Sequence, residues 1–429
     1  MRRTTHRRLC AAALSAVCVL APVTAAPAAG HTAGRSPAPA AAGTADRGDG
    51  RGGGPGVGGH GVGGHGVGGP GEDCPRGGLD ADLSARLDRT IEDVRRQAGI
   101  PGAVVGLWLP GRGCYVRASG VADTATGAPM PADTYLRIGS ETKTFTVTAL
   151  LQLVDEHRIG LDDPISAYVD GVPCGEEITL RQLAEMRSGL FPYTADPGFV
   201  HDLLSDPRRS FTPAEVLAYG FKHPNTAEPG REFQYSNTNL VLLGLVVEKV
   251  TGRRLADVVH ERVLRPAGLR HTLFPAGPEF PSPHAHGYTD QTLSGDVEDS
   301  TDWNPSWAWA AGAMISDLHD LHRWAKVLAT GELLSARTQE QRLTMLPTGF
   351  PGTGYGLGIF ETGGWIGHNG SLPGYESVTV YLPEQRATLV ILINTDIASQ
   401  GQEPSTLLAR AVTALVTPDH VYDGAVPPR

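Results

Sequence analysis

The sequence predicts a mixed α/β (α+β) fold: one antiparallel sheet built from both termini, flanking helices, and an inserted, mostly helical subdomain. Two strand pairs, one near each end of the chain, predict that sheet, and helical periodicity dominates between them. A hydrophobic content of 40% excludes a chain that is disordered throughout. The net charge of −10 argues against nucleic acid as a partner. We therefore expect a globular protein with no nucleic-acid partner.

The N-terminal region differs from the rest in composition. Arginines precede an apolar run over residues 9–21 and small residues follow it, so residues 1–28 are predicted to be a signal peptide. Because that run is too short to span a membrane, we expect a secreted, extracellular protein with no integral membrane segment after signal cleavage. Residues 29–73 are rich in Gly, Pro and Ala and predict a disordered linker. Residues 74–418 are the predicted folded domain, and 419–429 a C-terminal tail.

The elements of the folded domain are predicted in chain order. Apolar residues from Leu79 to Val94 recur at helical spacing, and Gly99 ends that helix. Predicted strands over 104–109 and 115–121 flank a Pro-Gly turn, and a second pair covers 377–382 and 388–394. Helices are predicted over 140–158, 239–250, 316–328 and 403–416. A cleft between the sheet and the helical subdomain is the expected site.

The lysines give the first indication of chemistry. The chain has only four among its 36 basic residues, and Lys143 alone follows a serine, Ser140, by three positions. A buried lysine can lose its proton, whereas arginine cannot. Because positions i and i+3 share a helix face, Ser140 is a candidate nucleophile and Lys143 its base. By itself the pair is weak, since a serine at a helix start is usually an N-cap.

Two further triplets strengthen this interpretation. Tyr235-Ser236-Asn237 lies in a polar loop before the buried helix, and His368-Asn369-Gly370 follows a strand-like segment and leads into Ser371. Taken singly, each residue is better explained as a loop cap or a turn residue. In this order, however, the three motifs resemble those of the β-lactamase-like serine hydrolases. The resemblance covers roughly residues 79–416 and is strongest to secreted bacterial D-alanyl-D-alanine carboxypeptidases.

The resemblance implies a β-lactamase/transpeptidase-like fold and a role for each motif residue. Ser140 would be the acylated nucleophile, Lys143 its base, and Tyr235 the proton donor to the leaving amine. The substrate-binding residues would be Asn237, His368, Asn369, Gly370 and Ser371, with His368 facing the substrate's carboxylate side. Backbone N–H groups of Ser140 and Ser371 would form the oxyanion hole.

The same resemblance implies partners and alternatives. The substrate would be a peptidoglycan stem peptide or another small acyl-D-amino-acid or ester, handled without metal or cofactor by a monomer. An esterase, a D-aminopeptidase or a β-lactamase on the same site remains an alternative, as does a non-catalytic penicillin-binding receptor.

Trp303, Trp307 and Trp309 are as consistent with lining the acyl pocket as with core packing. His284 and His286 lack a third metal ligand and are predicted loop residues.

Three cysteines remain after signal cleavage: Cys74, Cys114 and Cys174. The predicted first helix and the strand that returns beside it have similar lengths, which places Cys74 near Cys114. We therefore predict a Cys74–Cys114 disulfide and a free Cys174.

One position departs from the carboxypeptidase pattern. Those enzymes have an arginine directly after the Tyr-Gly-Leu-Gly strand, where it pairs with the substrate's terminal carboxylate. Here Tyr355-Gly356-Leu357-Gly358-Ile359 is followed by Phe360 and Glu361. A phenyl ring cannot make a charge-assisted hydrogen bond, and Glu361 is expected to repel a carboxylate. The preference for a free C-terminal carboxylate should therefore be weakened.

Overall fold

A nine-stranded antiparallel sheet forms the centre of the protein. The computed structural model describes residues 78–424, so the predicted signal peptide, the linker, Cys74 and the last five residues lie outside the described part. The strand order is β3-β2-β1-β13-β12-β11-β10-β9-β8, and β1 from the N-terminal side pairs directly with β13 from the C-terminal side. The predicted sheet assembled from both termini is thus confirmed.

The strands and helices have the following bounds. The strands are β1 Gly102–Leu109, β2 Gly113–Asp123, β3 Ala128–Pro129, β4 Leu136–Arg137, β5 Tyr288–Thr289, β6 Glu298–Asp299, β7 Ile315–Ser316, β8 Leu346–Pro347, β9 Thr353–Tyr355, β10 Phe360–Thr362, β11 Trp365–Leu372, β12 Tyr375–Leu382 and β13 Ala387–Ile393. The α-helices are α1 Ala81–Gln97, α2 Thr142–Asp155, α3 Leu180–Ala184, α4 Pro197–Ser205, α5 Pro213–Phe221, α6 Asn237–Thr251, α7 Leu255–Val259, α8 Arg265–Ala267, α9 Leu318–Thr330, α10 Ala336–Arg342 and α11 Pro404–Val416.

Local sequence signals fix the ends of the main helices. The Asp80 carboxylate caps α1 by accepting bonds from the backbone N–H groups of Asp82 and Leu83. At the other end of their helices, Gly252 and Gly331 adopt positive φ angles of 68° and 72° and terminate α6 and α9. These boundaries lie within a few residues of the predicted ones.

The helices fall into two groups. Near the sheet, α1 packs against α11, and α9 packs on β12 and β13. Between β4 and β7, the chain forms the predicted helical insertion, in which the apolar helix α6 packs against α2. Both helices are buried along most of their length, so they hold the residues at their N-termini rigidly. Those N-termini carry the predicted catalytic motifs. No helix within residues 78–424 combines the length and apolar character needed to cross a bilayer.

The cysteines require one correction. Cys114 and Cys174 are both disulfide-bonded, so the prediction that Cys174 carries a free thiol is wrong. The helix and strand lengths concerned only the region around Cys114 and contained no information about Cys174. The predicted Cys74–Cys114 bond stays a prediction, because Cys74 lies outside the described residues.

Candidate active site

Ser140 lies at a tight junction between the sheet and helix α2. It is the middle residue of a 3₁₀ turn, Gly139–Glu141, which leads directly into α2. Gly139 has a positive φ of 49°, and a Cβ there would lie 2.6 Å from the backbone nitrogen of Ser371 on β11. A Cβ on Gly370 would lie 1.9 Å from the carbonyl oxygen of Ile138. Glycines on both sides therefore allow the serine turn to contact β11 backbone to backbone.

Lys143 lies on the first turn of α2, within hydrogen-bond distance of Ser140. Its Nζ lies 2.8 Å from Ser140 Oγ and 2.8 Å from the carbonyl oxygen of Ala311. The side chain is fully buried. Burial lowers the pKa of Lys143 well below its usual value, because the charged ammonium loses its hydration. A neutral amine next to a serine hydroxyl is equipped to accept that hydroxyl's proton.

Tyr235 and Asn237 approach the same point from the start of helix α6. The Tyr235 ring lies 4.8 Å from Lys143 Nζ. Burial raises the pKa of Tyr235, and a hydrogen bond with Ser140 offsets part of that rise. The phenol therefore keeps its proton at neutral pH and can pass it on. Asn237 is the first residue of α6, and its Oδ1 has no hydrogen-bond partner within residues 78–424.

A cavity of about 620 Å³ opens over these groups. It is lined by Ser140, Pro192, Thr194, Ala195, Phe233, Gln234, Tyr235, Asn237, Gln291, Trp307, Thr348, Gly349, Phe350, Asn369, Ser371, Leu372, Pro373 and Glu403. Five predicted site residues are thus brought to one cavity: Ser140, Tyr235, Asn237, Asn369 and Ser371. Lys143 does not line the cavity, but it lies within hydrogen-bond distance of Ser140, which does. Gly370 also lies outside the lining and allows the close contact of β11 with Ile138. Of the three tryptophans, Trp307 lines the cavity, whereas Trp303 is buried and Trp309 packs near Gly244 of α6.

His368 does not reach the cavity in the predicted manner. It is 2% exposed, and its Nδ1 lies 2.5 Å from the carbonyl oxygen of Asn369, so Nδ1 carries the proton. Its Nε2 accepts a hydrogen bond from the Tyr355 hydroxyl at 3.2 Å. Burial lowers the pKa of His368 to about 3. The imidazole is neutral at physiological pH and cannot form an ion pair with a substrate carboxylate.

Phe360 and Glu361 also lie away from the lining. Phe360 is buried, with its ring 5.4 Å from that of His368. The Glu361 carboxylate accepts a bond from the backbone N–H of Gly364 in the turn after β10, so it does not contact the cavity directly, and its repulsion of a carboxylate substrate stays a prediction. A different acidic residue, Glu403, lines the cavity and accepts a hydrogen bond from Asn369 Nδ2 at 3.2 Å. The sequence marked Glu403 only as the start of the last helix, since a single carboxylate far along the chain carries no motif.

Glu141, next to the serine, leads to a pH prediction. Its carboxyl is buried, and burial raises its pKa from 4.5 to about 8, with Ser377 and Thr379 offsetting part of the rise. Between these two pH values the unfolded chain releases the proton while the folded protein retains it, so stability falls as pH rises. Glu141→Gln should abolish that fall, which is on the order of a few kcal/mol.

Urea unfolding of both proteins at about pH 5 and about pH 9 measures the effect. The exposed Glu340 of α10 provides the matched control, Glu340→Gln, which should follow the wild type. Equal pH dependence in wild type and Glu141→Gln would show that this carboxyl is not held protonated.

One group within residues 78–424 has three potential metal ligands close together: His271, Asp317 and Asp320. Hydrogen bonds within the protein explain why these three side chains lie together. Asp317 caps α9 by accepting from the Asp320 N–H, and Asp320 accepts from the His271 N–H and the Thr272 hydroxyl. The prediction that the protein needs no metal or cofactor therefore stays a prediction.

The sheet, the inserted helices and the serine–lysine pair are together those of a β-lactamase-fold serine hydrolase. A family model described as Beta-lactamase matches residues 87–413, so the chain belongs to the beta-lactamase family. A D-aminopeptidase from Brucella anthropi is 30% identical over 325 residues, which are 73% of this chain and 59% of that protein. This chain thus spans only about three fifths of the length of that relative.

Solved structures agree with this assignment. A D-stereospecific amidohydrolase from Streptomyces sp. is 32% identical with a TM-score of 0.70, and the match covers 78% of this chain and 99% of that one. A D-amino acid amidase from Ochrobactrum anthropi SV3, complexed with D-phenylalanine, is 29% identical with a TM-score of 0.71, covering 79% and 99%. An octameric penicillin-binding protein homologue from Pyrococcus abyssi is 27% identical with a TM-score of 0.66, covering 77% and 76%. Our expectation of a monomer stays a prediction.

Proposed function

We propose that this protein hydrolyses amides of D-amino acids through a covalent acyl-enzyme on Ser140. The observation that carries the proposal is the 2.8 Å distance between Ser140 Oγ and the fully buried Nζ of Lys143. A hydroxyl next to a desolvated amine is an activated nucleophile. The relatives named for D-aminopeptidase and D-amino acid amidase activity support the substrate class.

We assign one group of the site to each step of the proposed reaction. Lys143 takes the proton of Ser140 Oγ as the oxygen attacks the amide carbonyl carbon. The resulting oxyanion accepts hydrogen bonds from the backbone N–H groups of Ser140 and Ser371. Tyr235 donates its phenolic proton to the departing amine as the C–N bond breaks and regains a proton from the protonated Lys143, which leaves the acyl ester on Ser140 and both side chains in their starting states. Water then hydrolyses the ester through the same groups, releasing the D-amino acid and restoring the serine.

The charge of the cavity favours hydrolysis of D-amino acid amides over D-Ala-D-Ala carboxypeptidase activity. A carboxypeptidase must bind a terminal carboxylate, and a cationic side chain makes the strongest hydrogen bonds to that group. Neither arginine nor lysine is among the described residues that line the cavity, and the neighbouring His368 is neutral. A binding protein without catalysis is the least favoured alternative, because it has no use for a buried lysine base.

We also propose that the protein is exported. The charged and apolar pattern of residues 1–28 supports a cleaved signal peptide. The disulfide bonds of Cys114 and Cys174 are consistent with an oxidising compartment. Sequencing the N-terminus of protein recovered from the culture medium tests this proposal, and an uncleaved chain retained in the cytoplasm would contradict it.

Ser140→Ala should abolish both turnover of D-phenylalanine amide and covalent labelling by a fluorescent penicillin. The reason is that no other side-chain oxygen is held against Lys143 Nζ among the described residues. Mass spectrometry of the wild-type protein after labelling should place the acyl group on Ser140. Ser188→Ala serves as a control, since that buried serine donates to Asn239 rather than facing the cavity. An acyl group on Ser188 or Ser371 would overturn the mechanism.

A further inference from the structure

We infer that Glu403 binds the protonated amino group of the substrate and so selects substrates with a free amine. The inference rests on the proposed function and adds a specificity residue to it. Among the cavity-lining residues within 78–424, Glu403 is the sole one with a charged side chain. The others offer hydroxyl, amide or apolar groups. A carboxylate in such a cavity favours a cationic group and repels an anionic one.

A contact with strand β11 fixes the orientation of the Glu403 carboxylate. Glu403 is the N-cap residue of α11, yet its side chain makes no capping hydrogen bond to that helix. Instead, its Oε2 accepts a bond from Nδ2 of Asn369 on β11, one residue before the close-contact glycine Gly370. The N-terminus of α11 adds a favourable potential for the negative charge. The carboxylate is thus oriented by the same strand that carries the proposed oxyanion donor Ser371.

Glu403 lines the same cavity as Ser140 and Tyr235. Its negative charge contributes to the raised pKa of Tyr235, whose ring is 4.8 Å from Lys143 Nζ. In a D-amino acid amide, the ammonium group lies one carbon from the carbonyl that Ser140 attacks. Because Ser140 and Glu403 line one cavity, we expect a small substrate to contact both. Asn237 lines the same cavity, and its buried Oδ1 has no hydrogen-bond partner among the described residues.

The charge distribution is also consistent with Phe360 at the position where carboxypeptidases have an arginine. An arginine at position 360 would introduce a cation beside His368, whereas Phe360 leaves that side of the site uncharged. With Glu403 as the charged group, the site attracts an ammonium and repels a terminal carboxylate. The sequence-based expectation that preference for a free carboxylate is weakened becomes stronger: we expect the free acid of a D-amino-acid dipeptide to be a poorer substrate than its C-terminal amide.

The experiment compares kcat/KM for D-phenylalanine amide and N-acetyl-D-phenylalanine amide in wild type and Glu403→Gln. The wild type should prefer the free amine by about ten- to hundredfold, the range of one hydrogen bond to a charged group. Glu403→Gln keeps the size of the side chain and should remove most of that preference, chiefly by slowing the free-amine substrate. Glu340→Gln on exposed α10 is the matched control and should retain it.

Acylation by the amine-free reagent p-nitrophenyl acetate separates the outcomes. Glu403→Gln should still be acylated by it, which shows that the variant is folded and that Ser140 is active, and any loss of rate should be much smaller than the loss with D-phenylalanine amide because the ester carries no amine. An unchanged preference for the free amine in Glu403→Gln would overturn the role of Glu403 while leaving the proposed hydrolase intact. If the wild type acylates with the ester but cleaves neither amide, the proposed amidase function itself fails.

Discussion

Lys143→Arg is expected to lower kcat/KM for D-phenylalanine amide about 10²- to 10⁴-fold, the contribution typical of a positioned general base. Arginine has a similar length, but its guanidinium stays positively charged and does not release a proton at any accessible pH. The wild-type amine is held in a dry site, 2.8 Å from the Ser140 hydroxyl, and its pKa is lowered by burial. The substitution therefore removes the base while leaving a cation.

The pH profile provides a second readout. Because the lowered pKa leaves Lys143 neutral above that value, wild-type kcat/KM should rise with pH on its acidic limb and be level well below pH 10.5, the ordinary lysine value. Lys143→Met should be about as inactive as Lys143→Arg. Lys326→Arg on the exposed face of α9 is the control and should behave as the wild type. A Lys143→Arg enzyme with substantial activity would mean that Lys143 acts only through its charge.

The sheet was predictable because its strands are short apolar runs flanked by turn residues. The pairing of β1 with β2 follows from the Pro-Gly turn at residues 110–113, and that of β12 with β13 from the turn at residues 383–386. What the pattern alone does not contain is which strand of one pair lies beside which strand of the other. β1 pairs with β13 because both strands are buried on both faces of the sheet and therefore lie at its centre. This arrangement depends on the packing of the whole core.

The catalytic motifs were predictable for a different reason. Ser140 and Lys143 are one helical turn apart, so their proximity is set by local geometry. Tyr235 reaches them only because α6 packs against α2, and its role was inferred from motif order rather than from spacing. His368 and Glu403 show the limit of such inference. Whether a histidine on a strand is charged, and whether a helix-start glutamate faces a cavity, depends on burial and on packing between distant segments.

Gly370→Ala is expected to lower kcat/KM about 10²- to 10³-fold, the cost of losing one oxyanion donor. A methyl group at this position would lie 1.9 Å from the Ile138 carbonyl oxygen and 2.7 Å from Ser377 Oγ. Since the first of these is a backbone atom, no side-chain rotation relieves the overlap, and β11 must separate from the turn that carries Ser140. The N–H of Ser371, the next residue on β11, then moves away from the position in which it would meet the oxyanion.

The displaced N–H group should weaken stabilisation of the transition state more than substrate binding, so most of the loss is expected in kcat rather than in KM. Gly78→Ala is a suitable control, because a Cβ there has only an ordinary 3.7 Å contact with the Cys114 carbonyl oxygen. Gly370→Ala should also unfold at lower urea concentration, and circular dichroism identifies a variant that has failed to fold. A folded Gly370→Ala enzyme with wild-type turnover would mean that the contact between β11 and the Ser140 turn does not set the position of the oxyanion donors.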